Sequence, residues 1–182
     1  MIDPIVRAAT SDDQDALREL ELEARGALSD QRGGEVWLVE HPLIGDSWGD
    51  RCRTGDVFVG TIDDVVIGYI VAELGADAVV RIDQIWVTPE ARELGFGDEL
   101  LATATSSAQA RGATAVEGQA LPGDRHTKNL YERAGIVARL MTETMAWLGW
   151  KQLDGRLDPP YSRADALPDL VSTLATGLRS QP

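Results

Sequence analysis

The stretch Val87-Thr88-Pro89-Glu90-Ala91-Arg92-Glu93-Leu94-Gly95-Phe96-Gly97-Asp98-Glu99-Leu100-Leu101 decides how the chain reads. Before it, Ala78 to Val87 is an apolar run of strand character, ended by Pro89. After it, Leu100, Leu101, Ala104 and Ala108 recur on one helical face as far as the stop at Gly112, which predicts a helix over about 97–111. A strand, a short loop with two glycines and a helix start leave backbone N–H groups unpaired at the positive end of the helix dipole. That combination is a preformed anion site. Glycines let the backbone approach a pyrophosphate, and Arg92 is placed to add a charge-assisted hydrogen bond.

Three other glycine motifs compete for this reading. A dinucleotide fingerprint needs a third small residue after Gly97, where Leu100 stands. A P-loop needs Gly-Lys-Ser or Gly-Lys-Thr, which is absent. Gly45-Asp46-Ser47-Trp48-Gly49 matches a hydrolase nucleophile elbow. Asp50-Arg51-Cys52-Arg53-Thr54-Gly55 is a poor helix start behind it, however, and 182 residues are few for that fold.

Outward from the loop the pattern alternates between strand and helix. Ile5 to Ala9 reads as a first strand, and Ser11 with Gln14 has capping-box spacing for a helix over about 11–25. Residues 26–55 are broken by Gly33-Gly34, Pro42, Gly45, Gly49 and Gly55, and read as a mobile segment on the acceptor side. Residues 56–62 and 65–72 flank Asp63-Asp64 as a hairpin. Residues 113–119 make a strand, 128–134 a short helix closed by Gly135, and 136–147 a last strand. The expected fold is therefore α/β: a mixed, mostly antiparallel sheet flanked by helices, occupying residues 1–147. Residues 148–182 are expected to be a linker through Asp158-Pro159-Pro160 and a C-terminal amphipathic helix carrying Leu167, Leu170, Val171, Leu174 and Leu178. That helix is a candidate contact for a homodimer.

Composition narrows the function classes. With 43% hydrophobic and 26% charged residues the chain reads as globular, and no apolar run reaches the length of a membrane span. A net charge of -13 argues against nucleic acid as partner and leans toward a cationic substrate. Cys52 stands alone, which excludes an intrachain disulfide and a Cys-and-His metal cluster, and points to a reducing, cytoplasmic setting.

The arginine-x-x-glycine-x-glycine pattern of Arg92 to Gly97, after a strand ending Val-x-Pro, resembles the acyl-CoA signature of the GCN5-related N-acetyltransferase (GNAT) family. The resemblance runs over about residues 3–147 and includes Ile5-Val6-Arg7-Ala8-Ala9-Thr10 and Asn129-Leu130-Tyr131-Glu132-Arg133-Ala134-Gly135-Ile136. It implies the GNAT acyl-CoA N-acyltransferase fold, acetyl-CoA as cosubstrate without a metal, and direct transfer of acetyl to an amine in a ternary complex. The acceptor is a small molecule or a peptide, with small cationic amines favoured by the charge. The alternatives are a protein N-terminal or lysine acetyltransferase, or an acyl-CoA-binding sensor with little catalysis.

In such a family the amides of Leu94, Gly95, Phe96, Gly97 and Asp98 hold the pyrophosphate, and the pantetheine arm pairs with Ile85, Trp86 and Val87. An N–H near Val87 then stabilises the oxyanion. Tyr131 matches the tyrosine that protonates the departing thiolate, and Asp124 stands where relatives often place an Asn on the cofactor arm. The general base is open among Asp83, Glu117 and Glu73; strand alternation puts Asp83 on the face of Ile85 and Val87. One departure stands out: Asp98 and Glu99 place two acids where the phosphates should lie. Trp37, His41 and Trp48 are candidates for an acceptor pocket, and His126 reads as a surface residue at a helix start.

Overall fold

In the computed structural model, which describes residues 4–121, 123–140 and 151–156, strand alternation decides which helix covers which face of one sheet. The strands are β1 (Ile5–Ala8), β2 (Val57–Ile62), β3 (Val65–Leu74), β4 (Val79–Val87), β5 (Ala115–Ala120), β6 (Val137–Leu140) and β7 (Lys151–Arg156). Their order is β1-β2-β3-β4-β5-β7-β6. Every neighbouring pair is antiparallel except β4 and β5, which run parallel and are joined through α4 (Phe96–Ala110).

Along β2 and β3 the side chains divide by parity, as a two-residue repeat requires. Val57, Val59, Tyr69 and Val71 pack with Leu17 and Leu20 of α1 (Gln14–Ser29) and with Trp48 and Cys52 of α3 (Trp48–Cys52). Phe58, Ile70 and Ala72 point the other way, onto Phe96, Leu100, Leu101, Ala104 and Ala108 of α4. Leu130 and Tyr131 of α5 (Arg125–Arg133) belong to that second layer. Full burial of side chains such as Phe96, Leu100 and Leu101 stabilises the fold by about 1.5–3 kcal/mol each.

The capping box lies one residue earlier than the spacing of Ser11 and Gln14 predicts. Thr10 N–H donates to Asp13 Oδ2 at 2.8 Å, and a short 3₁₀ turn precedes α1. Asp13 also accepts both terminal nitrogens of Arg7 at 2.7 Å, which holds its carboxyl below the ordinary range despite burial. Residues 26–55 are more regular than their glycines suggest: α2 (Gly34–Glu40) starts from Gly33 in the left-handed region, φ 84°, and α3 follows.

At the far edge the expectation that the chain beyond residue 147 opens with a linker is corrected over residues 151–156. Lys151–Arg156 form β7, paired with β5 from Ala115↔Arg156 to Ala120↔Lys151 and with β6 on its other side. The sheet thus extends past residue 147, because β5 and β6 offer two unpaired edges that a third strand satisfies. The proposed tail helix lies outside the described residues.

Candidate active site

Two features of β4 create the site. First, β4 pairs with β5 from Val79↔Ala115 to Ile82↔Gly118, so among the described residues its edge from Asp83 to Val87 has no strand partner on that side. Second, its register with β3 skips one residue, from Ala72↔Ile82 to Val71↔Gln84, leaving Asp83 as a bulge. The bulge inverts parity: Val80 and Ile82 face α4 before it, Ile85 and Val87 after it. The expectation that Asp83 shares a face with Ile85 and Val87 is therefore corrected. Asp83 turns toward α3, 4.0 Å from the Arg51 guanidinium. Burial pushes its carboxyl above the ordinary range, against the pull of Arg51 and His41.

The splay opens a cavity of about 740 Å³. Its floor is the edge of Asp83, Gln84, Ile85, Trp86 and Val87, and at one end stands the start of α4 with Gly95, Gly97 and Asp98. Gly95 adopts φ 88°, a left-handed conformation natural to glycine, and the first helical bond is Glu99 N–H to Gly95 O at 3.1 Å. The amides of Phe96, Gly97 and Asp98 precede that bond and stay available to a ligand. Phe96 itself is fully buried and anchors the loop, while Leu94 is exposed; neither side chain lines the cavity. Arg92 lines it, lies over the Trp86 ring at 4.5 Å and donates from Nε to Val87 O at 3.1 Å.

Tyr131 lies at the other end of the splay, buried beneath β5. A Cβ on Gly118 would come within 2.9 Å of its Cζ and 3.0 Å of its hydroxyl, so the glycine is what admits the ring. Burial, with help from the nearby Asp124 carboxylate, raises the phenol well above its ordinary pKa and keeps it protonated. Asp124 accepts Thr127 N–H at 3.0 Å as the cap of α5 and lines the cavity too.

The other carboxylates expected as bases are engaged elsewhere. Glu117 lies between Val116 and Gly118 on β5, hence on the face opposite Tyr131, and pairs with Arg81 Nε at 3.1 Å. Glu73 pairs with Arg51. Neither lines the cavity. The acids of the loop have separate fates: Glu99 is exposed, whereas Asp98 accepts Arg133 Nη2 at 3.0 Å and Nε at 3.2 Å.

Several lining residues escaped the sequence reading, among them Arg25, Gln84 and Arg133. Gln84 left a trace: Asp83-Gln84 is a pair of polar residues interrupting an apolar alternation, as a bulge does. Its Oε1 accepts the Tyr69 hydroxyl at 2.7 Å, and its Nε2 lies 3.4 Å from Glu21 Oε1. Asp83 and Gln84 also border a second cavity of about 590 Å³, with His41, Asp50 and Arg51. Of the three acceptor-side candidates, Trp37 lines the first cavity, while His41 stacks on Trp37 at 4.0 Å and borders the second. Trp48 is buried core against Tyr69. His126 lines the first cavity.

Glu21 on α1 holds this wall together. Fully buried, it accepts Ile44 N–H at 2.8 Å, Gly45 N–H at 3.0 Å and the Trp48 indole N–H at 2.9 Å. Glu21→Leu strands those donors and is expected to lower stability by about 3 kcal/mol in chemical denaturation. An unchanged unfolding midpoint would show that the 44–48 turn holds without it.

Among the described residues no helix is long and apolar enough to cross a membrane, and no group of three or more His, Cys, Asp or Glu is placed to hold a metal. The model of the acetyltransferase (GNAT) family matches residues 15–136. Solved structures similar to the chain include Ard1 from Thermoplasma volcanium, with 16% identity, TM-score 0.64, and 85% of this chain and 98% of that one covered. The PaiA N-acetyltransferase from Thermoplasma acidophilum in complex with coenzyme A has 14% identity and TM-score 0.67, covering 85% and 99%. YncA from Salmonella typhimurium, solved with its cofactor acetyl-CoA, has 16% identity and TM-score 0.64, covering 89% and 98%. No curated protein sequence matches the chain.

Proposed function

The chain belongs to the acetyltransferase (GNAT) family, as an N-acetyltransferase using acetyl-CoA, and from that premise we propose that it transfers acetyl directly to the primary amine of a small cationic acceptor. The observation that carries this reading is the unpaired β4 edge, which opens on one cavity with the α4 amides at one end and Tyr131 at the other. The pyrophosphate sits on the amides of Phe96, Gly97 and Asp98. The pantetheine arm lies along Ile85, Trp86 and Val87, where a backbone N–H polarises the thioester carbonyl.

The amine approaches from the side of Asp83. Its nitrogen attacks the carbonyl carbon, the C–N bond forms and the C–S bond breaks. One proton passes from nitrogen to the Asp83 carboxylate, and Tyr131 gives one to the departing thiolate. Asp83 is two residues from Ile85, about 7 Å along the strand, a span that water bridges. Glu40, Asp50 and Asp83 outweigh Arg51 around the second cavity, and with the overall charge of -13 this excess of acid supports a cationic acceptor. The lone, buried Cys52 supports a reducing, cytoplasmic setting.

The test is thiol release from acetyl-CoA over a panel of small amines, polyamines and peptides. Turnover with small cationic amines is the expected result. Acetyl-CoA binding without acetylation of any amine sinks the reading, and turnover confined to peptides sinks the acceptor class. The base has its own signature in pH. Asp83 works only when charged and burial raises its pKa, so kcat/KM should rise with pH through a value above the ordinary carboxylate range. Asp83→Asn should remove that limb, keep the limb of the amine itself, and lower kcat/KM about 100-fold. A variant that retains both limbs removes Asp83 from the base role.

A further inference from the structure

The cavity wall where α4 begins carries an ion pair that the transfer chemistry does not use. Arg133, in the last turn of α5, grips both oxygens of Asp98, in the first turn of α4. Both residues line the cavity beside the available amides. An acid there repels an arriving phosphate and a guanidinium attracts it, and the planar fork of an arginine matches carboxylate and phosphate alike.

Two other arginines that line the cavity are held differently. Arg92 donates to Val87 O, and Arg25 to the carbonyls of His41 and Leu38 at 2.6 and 2.9 Å. Among the described residues, Arg25 and Arg92 donate to carbonyls while Arg133 donates to an anion, and another anion can take that place. The pair is also lightly held. With side chains 55% and 38% exposed, it is a solvent-screened contact worth little to the fold. A phosphate accepting the same fork in a bidentate fashion binds it more strongly.

Resting on the reading of the α4 start as the cofactor's phosphate site, we propose that Arg133 is a phosphate-binding residue whose resident counter-anion, Asp98, is displaced by acetyl-CoA. When a coenzyme phosphate arrives, the guanidinium passes from Asp98 to it; when coenzyme A leaves, Asp98 takes it back. Asp98 thereby competes with the cofactor and favours product release. The acid that looks misplaced in the sequence sets the affinity of the loop.

Titration calorimetry of the full chain with coenzyme A and with 3′-dephospho-coenzyme A, at one ionic strength, tests this. Asp98→Asn should bind coenzyme A about 5-fold more tightly, and Arg133→Gln about 10-fold more weakly. The decisive protein carries both changes. If Arg133 contacts a phosphate, the double variant binds about 10-fold more weakly than Asp98→Asn alone. If Arg133 only neutralises Asp98, the double variant equals Asp98→Asn and the proposal is overturned. A loss that shrinks with the dephospho ligand assigns Arg133 to the 3′-phosphate, and an undiminished loss assigns it to the pyrophosphate; either supports the contact. Arg133→Lys, which keeps the charge and loses the fork, should fall between the parent and Arg133→Gln, and equality with Arg133→Gln counts against a phosphate partner. A parent chain that binds neither ligand refutes the cofactor site itself, a separate outcome.

Discussion

Gly95→Glu is expected to abolish acetyl-CoA binding, with no titration heat at concentrations about 100-fold above the parent dissociation constant. Two effects act together. Gly95 adopts φ 88° at the start of α4, and a residue with a Cβ held there costs about 1–3 kcal/mol or rearranges the turn. The glutamate also places an anion beside the amides of Phe96, Gly97 and Asp98, where the pyrophosphate should rest. Gly95→Ala separates the two, since it keeps the backbone strain without the charge and should weaken binding about 10-fold. A folded glutamate variant that binds as the parent does would remove the phosphate site from this loop.

The second large effect is on turnover alone. Tyr131→Phe keeps the ring that fills the space beneath Gly118 and deletes the hydroxyl. Acetyl-CoA affinity should stay within about 2-fold while kcat falls about 100-fold, the size of a lost general acid. Because burial raises the phenol above its ordinary pKa, it stays protonated through neutral pH and adds no alkaline limb to the rate profile. Comparison of single-turnover rates for parent and variant gives the answer. Equal rates would reduce Tyr131 to a packing residue.

What could be read in the sequence follows from which forces are local. The parity of Val57, Phe58, Val59, Tyr69, Ile70 and Val71 is local, and it predicted strands that now have helices on both faces. The start of α4 was equally plain, because glycine conformation and helix periodicity are written within about fifteen residues. α2 and α3 were hidden because they are short and bounded by Gly33, Pro42 and Gly55, and buried Glu21 ties the turn between them to α1. β7 holds one apolar residue, Leu153, so only the two neighbouring edges make it a strand.

The site divides along the same line. Arg92, Gly95, Gly97, Asp98 and Tyr131 were singled out by motif and border one cavity, whereas Leu94 and Phe96 of the same loop do not. The direction of Asp83 was misread because alternation assumes an unbroken register, and a bulge is a property of two strands together. The engagement of Asp98 by Arg133 spans 35 positions and has no local signal. Tertiary pairing, not spacing, decides which of these charges is available.

β7 has a consequence for how the chain is assembled over time. It lies between β5 and β6, both of which precede it in the sequence. During synthesis β6 therefore leaves the ribosome with no sheet neighbour, and it must wait until residues 151–156 emerge before either edge can be closed. Until then the nascent chain presents two open backbone edges, from β5 and β6, to whatever other strands are nearby. The last-made piece of the described sheet is an internal one, so this half of the domain is completed by insertion rather than by addition at its rim.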